Sequence, residues 1–499
     1  MIEIMMELKP DGKRALYEQI YEYIRNEIAD GKISQGEKLP STRLLAGNLS
    51  VSRSTVELAY EQLVSEGYVE TRPCSGYYVC DIMDIYKAGS SEEAEPVAVE
   101  EKKEYRYDFS PYMVDLKYFP YNAWRKINKN VLLEEEKLFR AGNASGEEAL
   151  RREVTRYLHQ ARGVNCEPGQ VVIGAGNEYL LLLLAQILGT DQKVVMENPT
   201  YLQAYRTFCN MHYTVFGVPM DKDGISFQEV QKHEPDIVYT MPSHQYPLGI
   251  VMPLKRRMEL LGWAAAHPER YIIEDDHDSE FRYKGKPIPS LQGNDKTGSV
   301  IYLGTFSKSI APALRISYMV LPKRLLKKYH ENCGFYASTV AKVQQEVLAR
   351  FMREGYFERH LNRMRGIYRA KHDRMSQELK KQTWVHKIYG DNAGLHFLVE
   401  VETKASEEEL VETGKAHGIR LYGLSANYIG KREGRGWPTL LIGYGSLPED
   451  EMKESVRCIT DVIKQIEEKN KKIWNLSGRK GVLYSDCEKR GSQLRKSEE

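Results

Sequence analysis

Hydrophobic side chains recur at helical spacing near the start of the chain. Leu16 is followed by an isoleucine at every fourth position up to Ile28, so these side chains share one face of an amphipathic helix. Two further stripes of helical spacing lie over residues 44–49 and 56–63, and residues 68–80 alternate as in a hairpin with proline and glycine in its loop. The pattern predicts three helices and a two-stranded wing, the plan of a winged helix-turn-helix.

A different pattern begins near residue 108, where buried apolar runs alternate with amphipathic stretches up to about residue 468. Runs such as VVIGAG, DIVYTMP, YIIEDD and SVIYLGT are short and largely apolar, as strands covered on both faces are. The alternation predicts an α/β fold with a largely parallel sheet flanked by helices. The predicted division is a winged helix over 12–80, an acidic linker over 81–107, the α/β region over 108–475 and a polar tail over 476–499.

Composition excludes several classes of protein. The 499 residues carry 71 Lys and Arg against 70 Asp and Glu, so any affinity for nucleic acid must come from a local patch. Seven cysteines form no CxxC pair, which favours reduced thiols and predicts no metal site. The first residues lack an apolar secretory segment, and no apolar run is long enough to span a bilayer. We therefore expect a cytoplasmic protein without a membrane partner.

A basic patch leads into the third predicted helix. Residues 32–53 contain Lys32, Lys38, Arg43 and Arg53 against Glu37 alone. Cations and short hydroxyl donors at the start of a recognition helix suit phosphates and base edges. The alternative is a small helical interaction module whose basic residues are only solvated. The candidate DNA-contacting residues are Lys38, Ser41, Arg43, Ser52, Arg53, Ser54 and Thr55.

Lys308 is the strongest candidate for chemistry in the α/β region. A lone lysine is usually a solvated surface residue, but Lys308 follows an apolar strand and a Thr-Phe-Ser turn, and Arg315 lies seven residues later. A lysine amine with a lowered pKa forms a Schiff base with an aldehyde, and hydroxyls with a guanidinium bind a phosphate. A carboxylate such as Asp275 could keep a pyridinium nitrogen protonated.

The N-terminal unit resembles a known family of DNA-binding domains. The segment LPSTRLLAGNLSVSRSTVELAYEQLVSEGYVETRPCSGYYV is similar to the GntR-type winged helix, whose pattern is LPS.R.LA..L.VSR.TV..AY..L..EGY followed by a glycine in the wing. The resemblance covers the whole unit and implies binding to a double-stranded DNA operator.

The α/β region resembles the fold-type I aminotransferases, which use pyridoxal 5′-phosphate and have a large and a small domain. Lys308 in TFSKS matches the lysine of the internal aldimine. Asp275 matches the partner of the pyridinium nitrogen, with Asp276 as the alternative shifted by one residue. Tyr201 in ENPTY takes the place of the aromatic side chain that lies against the cofactor ring.

The same resemblance implies a phosphate clamp. Arg315, with Ser307 and Thr305, matches the residues that hold the cofactor's phosphate. The backbone near Gly176 and Asn177 joins them, because these residues open a long apolar helix whose free N–H groups could bind an anion.

A GntR-like winged helix, an acidic linker and an aminotransferase-like domain together resemble the MocR-type transcriptional regulators. The phrases PSHQYPLGIVMP, IEDDHDSEFRY, GTFSKSIAPALRISY and REGYFERHLNRMR are similar to that family directly. The resemblance implies a homodimer in which a small amine, an amino acid or a B6 vitamer, sensed at Lys308, alters DNA binding. We expect no physiological turnover, with residual transaminase activity. The alternatives are an active aminotransferase with an accessory DNA-binding domain and an interaction module with a decayed site.

His277 departs from the family pattern. The acidic motif usually reads EDDYDSEFRY, with a tyrosine positioned to bond the cofactor's phenolic oxygen, and this chain has His277 in its place. An imidazole can donate the same bond and titrates near neutrality, which would make the cofactor's charge depend on pH. Alternatively His277 points aside and Tyr246 supplies the hydroxyl.

The segment that would hold a substrate carboxylate also departs from the family pattern. Amino-acid transaminases typically hold the substrate carboxylate with an arginine on a late strand, whereas the comparable segment here carries Leu441 and Ile442. Arg435 could substitute only if its glycine-rich loop folds inward, and Gln203 is neutral. Either the effector is not an ordinary α-amino acid or its carboxylate is held elsewhere.

Overall fold

The computed structural model describes residues 4, 6–9, 14–81, 104–133, 136–283, 285, 287–390, 393–432 and 436–471. The chain divides into two compact units, Met1–Lys102 and Lys103–Glu499. Most of the predicted linker, the whole predicted tail and Arg435 lie outside the described residues.

The N-terminal unit is the predicted winged helix. Helix α1 spans Leu16–Ala29, α2 spans Thr42–Leu49 and α3 spans Arg53–Ser65. Strands β1 (Val69–Arg72) and β2 (Gly76–Val79) pair antiparallel as the wing. The isoleucine stripe of α1 is buried against α3, as the four-residue spacing predicts.

Serine caps define the starts of α2 and α3. Ser41 accepts a hydrogen bond from the Leu44 backbone N–H at 3.2 Å, and Ser52 accepts one from the Thr55 backbone N–H at 3.2 Å. Each cap satisfies a donor that the first helical turn leaves free. Ser50, between the two helices, has φ of 53°, and this left-handed residue makes the sharp turn that sets α3 across α2.

One detail of the predicted stripe over residues 44–49 is wrong. Leu45 is fully buried, but the adjacent Leu44 is 43% exposed. Neighbouring residues on a helix point about 100° apart, so α2 buries only one side chain of the pair.

The second unit is built on a sheet whose described strands are β4 (Val171–Gly174), β5 (Lys193–Asn198), β6 (Thr214–Asp221), β7 (Gly224–Ile225), β8 (Ile237–Thr240), β9 (Tyr271–Asp276), β10 (Val300–Thr305) and β11 (Ser317–Val320). Their order across the sheet is β4-β11-β10-β9-β8-β5-β6-β7. The central pairs β10-β9, β9-β8, β8-β5 and β5-β6 are parallel, which confirms the predicted largely parallel sheet.

Helices cover both faces of this sheet. On β4, Val172 belongs to one core layer, whereas Val171 and Ile173 belong to the other. The alternating directions explain why the strand is apolar at every position. The helices are α4 (Tyr121–Leu132), α5 (Glu136–Phe139), α6 (Glu148–Arg162), α7 (Asn177–Leu188), α8 (Leu202–Asn210), α9 (Phe227–Lys232), α10 (Leu254–Ala265), α11 (Lys323–Cys333), α12 (Lys342–Arg353) and α13 (Tyr356–Leu379).

A smaller antiparallel sheet of order β12-β13-β16-β15 follows in the chain. Its apolar face packs with the end of α13, with α14 (Glu407–Ala416) and with a helix over residues 452–471. No described helix is both long and apolar enough to cross a membrane. The strands are β12 (Val385–Tyr389), β13 (His396–Val401), β15 (Tyr422–Gly423) and β16 (Thr439–Gly443); β3 (Tyr107–Asp108) pairs separately with β14 (Ile419–Arg420).

Leu45 and Leu44 form a matched pair for testing the winged-helix core. Leu45→Ala should lower the free energy of unfolding by about 2–5 kcal/mol, because it leaves a cavity in a packed core. Leu44→Ala should change it by no more than about 0.5 kcal/mol. Urea unfolding of the full chain measures the change, and hydrogen exchange of winged-helix peptides locates it. Equal losses in the two variants would contradict this packing.

Candidate functional site

The ends of parallel strands place the predicted cofactor residues around one cavity. Register pairs Leu303 of β10 with Asp275 of β9, and Gly304 with Asp276, so the loops that follow these strands emerge side by side. The resulting cavity of about 220 Å³ includes Met241, Pro312 and Ser317 in its wall. Of the sequence-predicted residues, it is lined by Asn177, Tyr201, Tyr246, Asp275, His277, Thr305, Ser307, Lys308 and Arg315.

Lys308 is buried in this cavity. Its side chain is 9% exposed, and its Nζ lies 3.6 Å from Oδ2 of Asp278. The amine has no hydrogen-bond partner among the described residues, and it lies 6.0 Å from the ring centroid of Tyr246. A buried amine left without a hydrogen bond is expensive to keep and is typical of a group that bonds to a ligand.

Asp278 is the fixed anion beside that amine. Its Oδ1 lies 2.8 Å from Nδ1 of His244 and 3.3 Å from Nε2 of His277. Burial disfavours its charged form, but His244, His277 and Lys308 outweigh burial and hold the pKa of Asp278 well below its usual value. The ligand atoms of the two histidines and Asp278 all lie within 4.8 Å of one another.

Asp275 faces the cavity with two protein donors on its carboxylate. Asn177 donates to Oδ1 at 3.2 Å, and the Tyr239 hydroxyl donates to Oδ2. Burial raises the pKa of Asp275 to about 7, although the Tyr239 hydrogen bond opposes the rise. This carboxyl group is therefore oriented and ready to take or hold a proton near neutral pH.

Asp276, the alternative to Asp275, points to the opposite face of β9, where its carboxylate is already hydrogen-bonded. Its Oδ2 accepts hydrogen bonds from Nε of Arg162 at 2.7 Å and from the Tyr302 hydroxyl at 2.5 Å. Burial disfavours its charge, but Arg162 and Tyr302 more than compensate and lower the pKa of Asp276. Since successive strand residues point to opposite faces, only Asp275 of the two lines the cavity.

Three hydroxyl groups form a connected cluster at the end of β10. Thr305 Oγ1 donates to Ser307 Oγ at 3.0 Å and accepts from Ser317 Oγ at 2.9 Å. The Ser307 backbone N–H also donates to Thr305 Oγ1 at 3.1 Å. The sequence predicted Thr305 and Ser307, and the antiparallel pairing of β10 with β11 adds Ser317.

Arg315 lies over the N-terminus of α7. A Cβ built on Gly176 would collide with Nη2 of Arg315 and would lie 3.1 Å from Oε2 of Glu178. Gly176 has φ of 104°, so both its backbone angle and its crowding require glycine. Arg315 Nη2 lies 3.0 Å from Glu178 Oε2, with side chains 54% and 38% exposed. Together Gly176, Arg315 and Glu178 form a small cup, called the phosphate cup because the sequence analysis predicts a phosphate there.

His277 lines the cavity, but the expectation that it titrates near neutrality is wrong. Burial lowers the pKa of His277 to about 3, against a smaller opposing effect of Asp278. The imidazole is therefore neutral at physiological pH. Its ring centroid lies 5.9 Å from that of Tyr246, so both of the groups considered for the hydroxyl's role face the same space.

Aromatic rings form one wall of the cavity. Tyr246 is buried, and its ring lies 5.5 Å from that of Tyr112 and 6.3 Å from that of Tyr201. The Tyr201 hydroxyl donates to Glu178 Oε1 at 3.1 Å. Tyr112 comes from a segment far from the others in sequence.

A second cavity, of about 430 Å³, shares Tyr112, Gln203 and Tyr246 with the first. Its wall includes Leu441 of the fully buried strand β16, at the position where the sequence suggested that an arginine was missing. Its charged lining residues are Arg206, Glu407, Glu408, Glu412, Lys415 and Arg420.

The predicted DNA-contacting residues lie on one part of the winged helix. Lys38 precedes α2, Arg43 lies in its first turn, and both are exposed. Arg53 opens α3, where its Nε pairs with Glu57 Oε1 at 2.8 Å. The remaining ones, Ser41, Ser52, Ser54 and Thr55, lie at the starts of the same two helices.

The wing adds a cation that the sequence analysis did not single out. Arg72 lies over the Tyr78 ring at 4.2 Å from its centroid, and Lys38 lies 5.8 Å from the same centroid. This stacking holds two basic side chains against the wing.

Four further residues that line the cavity or contact its lining residues also escaped sequence analysis. Asp278 stands inside the quoted motif IEDDHDSEFRY, and Glu178 stands directly after Asn177, so a closer inspection of polar neighbours could have found both. Tyr239 and Tyr112 carry no local signal, because only tertiary structure brings them to the cavity.

The fold of the second unit is that of the class I and II aminotransferases. Residues 113–422 match the family "Aminotransferase class I and II", and residues 16–79 match "Bacterial regulatory proteins, gntR family". The crystal structure of a multiple substrate aminotransferase from Thermococcus profundus superposes with a TM-score of 0.64 at 25% identity, covering 76% of this chain and 96% of that protein.

Relatives that share both units are regulators by name. The chain is 42% identical over 447 residues to the uncharacterized HTH-type transcriptional regulator YdeL of Bacillus subtilis, covering 89% of this chain and 95% of YdeL. It is 30% identical over 485 residues to the probable rhizopine catabolism regulatory protein MocR of Rhizobium meliloti, covering 93% and 97%. The chain belongs to the MocR type of GntR-family transcriptional regulators, whose second unit has the aminotransferase fold.

Replacing Asp276 tests its structural role. Asp276→Asn should lower the free energy of unfolding by about 3–5 kcal/mol at pH 7, because it leaves the buried Arg162 guanidinium unpaired. Since the folded pKa is lowered, this stabilisation is present above the unfolded pKa and is lost as pH falls through the folded value. Urea unfolding at pH 7 and in acid should show the difference between variant and wild type shrinking.

Asp221→Asn is the matched control. Asp221 also pairs with an arginine, Arg256, at 2.8 Å, but its side chain is 43% exposed. Asp221→Asn should lower the free energy of unfolding by no more than about 1 kcal/mol. If Asp276→Asn were equally mild, the buried ion pair would not support the end of β9.

Proposed function

We propose that the chain binds pyridoxal 5′-phosphate covalently at Lys308 and that a small amine, amino acid or B6 vitamer, sensed there, alters its affinity for an operator. The observation that carries this proposal is the buried Lys308 amine, which has no hydrogen bond to a described residue and lies in the same cavity as Asp275 and Arg315. When bound, the cofactor supplies an aldehyde that condenses with amines and a ring that withdraws electrons.

Asp275 would hold the proton on the ring nitrogen of the cofactor. Its two donors, Asn177 and Tyr239, fix the carboxylate toward the cavity. A cationic ring nitrogen would favour the charged form of Asp275, against the burial that raises its pKa to about 7. His277 and Tyr246 would be the groups that hydrogen-bond the phenolic oxygen, with neutral His277 as a donor at physiological pH.

The phosphate would lie against the phosphate cup and the hydroxyls that follow β10. Arg315 supplies the charge, Thr305 and Ser307 supply donors, and the first N–H groups of α7 point into the same region. Glycine at position 176 fits this role, because a Cβ there would displace Arg315. Tyr201 would lie against the cofactor ring.

Regulation would require the effector to bind two conformations of the protein with different affinities. The effector's amine would compete with Lys308 for the aldehyde, and a released Lys308 would be drawn toward Asp278, 3.6 Å away. Leu441 offers no charge to an α-carboxylate, which argues against an ordinary α-amino acid held in the usual way. A B6 vitamer has support from a relative, the pyridoxine biosynthesis transcriptional regulator PdxR of Corynebacterium glutamicum, which is 29% identical over 479 residues.

We also propose a homodimer acting in the cytoplasm. A two-fold symmetric pair of winged helices would recognise an operator with two related half-sites. Arg43 and Arg53 would contact phosphates, and the starts of α2 and α3 would approach the major groove.

Lys308→Arg tests the covalent site, because arginine keeps the positive charge but forms no stable bond with the aldehyde. Borohydride treatment of wild-type protein incubated with pyridoxal 5′-phosphate should fix the cofactor on Lys308, as mass spectrometry of its peptides would show. The Lys308→Arg protein should lose this label. Lys323→Ala, which removes an exposed lysine paired with Glu167 at 2.5 Å, should keep it. A label that survives in Lys308→Arg would refute the assignment.

Replacing Arg43 or Arg53 tests the DNA surface. Each alanine variant should weaken operator binding and lower the slope of log affinity against log salt by about one, because one phosphate contact is lost. Arg152→Ala removes an exposed arginine from the second unit that also pairs with a glutamate four residues away, and it should leave the slope unchanged. Titrations of labelled operator at several salt concentrations give the slopes.

A slope that is unaltered in both variants would remove these arginines from the interface. Sustained multiple turnover of amino-acid and keto-acid pairs by the wild-type protein would instead favour the enzyme as its main role.

A further inference from the structure

Glu178 puts a negative charge where the proposed cofactor would bring another. Its Oε2 lies 3.0 Å from Arg315 Nη2, and its Oε1 accepts a hydrogen bond from the Tyr201 hydroxyl at 3.1 Å. Both carboxylate oxygens of Glu178 thus have a partner: Arg315 for one and Tyr201 for the other. A carboxylate bound in this way occupies the charge of Arg315 that a phosphate needs.

Within the phosphate cup, Glu178 and Arg315 together cover the start of α7. Its carboxylate and the Arg315 guanidinium are the atoms that a Cβ on Gly176 would meet first, so the ion pair fills the space over the first N–H groups of α7. Glu178 also lies in the first turn of that helix, where a negative charge interacts favourably with the helix dipole. A phosphate and this carboxylate therefore seek the same partners.

We propose that Glu178 is an intramolecular competitor for the cofactor's phosphate. In the absence of phosphate, its carboxylate neutralises Arg315 and holds Tyr201. A phosphate that binds Nη2 of Arg315 must displace the Glu178 carboxylate, and the two anions then repel each other. The pair is partly exposed, at 54% and 38%, so the exchange needs no unfolding of the core.

Because of this competition, a phosphate occupies the cup reversibly. The affinity of the site is lowered specifically for ligands that carry a phosphate. Since release of Glu178 also frees the Tyr201 hydroxyl at the start of α8, the arrival of a phosphate changes the hydrogen bonding of two helix ends together. The proposal rests on the proposed function, because it concerns how the Lys308 cavity discriminates phosphorylated from unphosphorylated B6 compounds.

Glu178→Gln in the full chain is the test, because glutamine keeps the shape but removes the charge. We expect its dissociation constant for pyridoxal 5′-phosphate to fall about tenfold relative to wild type, as expected when one charge-assisted contact no longer competes. Its affinity for pyridoxal, which lacks the phosphate, should stay within about twofold. Glu178→Ala should show the same selectivity, and equilibrium titrations followed by absorbance measure all the constants.

Glu148→Gln is the matched control. Glu148 also lies in the first turn of a helix, α6, and also pairs with an arginine, Arg152, but outside the cavity. Its affinity for either ligand should equal that of the wild type.

The outcomes separate this proposal from the one on which it rests. If wild-type protein and both Glu178 variants fail to bind pyridoxal 5′-phosphate, the proposed function fails. If wild type binds it and the Glu178 variants bind it no more tightly, or if pyridoxal affinity rises equally, the competitor role is overturned.

Discussion

The burial of the Lys308 amine beside Asp278 is the constraint on which the site depends. An amine that is 9% exposed and has no hydrogen bond to any described residue is unfavourable to desolvate unless a fixed anion lies beside it. Asp278 provides the anion because His244 holds its other oxygen. The parallel pairing of β9 and β10 brings the two segments together, so the sheet's register determines the chemistry at its edge.

Strand β9 shows how one short sequence distributes three carboxyl groups among three tasks. Glu274 accepts hydrogen bonds from the backbone N–H groups of Leu291 and Gln292 at 2.8 Å each. Asp276 pairs with Arg162. Between them, Asp275 points to the cavity. Glu274 and Asp276 thus support the structure from one side of the sheet, which leaves Asp275 as the carboxyl of this strand that can serve a ligand.

Sequence predicted the framework of the site well, because its signals are local. The neighbouring sequence is enough to place each main residue of the site. These are a lysine after an apolar strand, an arginine seven residues later and a glycine before a long helix. The choice between Asp275 and Asp276 needed the direction of the strand, and the titration of His277 needed its burial. Leu44 and Leu45 illustrate the same limit, since a stripe of leucines does not say which neighbour faces the core. Tyr112 reaches the cavity wall, and Tyr239 reaches Asp275, through tertiary contacts that no local pattern carries.

The charged groups around the two adjoining cavities suit the ligand recognition that we propose. Strand β16 contributes the apolar Leu441 to the second cavity. In the second cavity, Lys415 is bound to Glu412 at 2.6 Å, and Glu407 is bound to Arg432 at 2.7 Å. Arg315 is in turn bound to Glu178. Cations that already have partners bind a ligand only by exchanging those partners, and such an exchange couples occupancy to conformation, which is what a regulator requires.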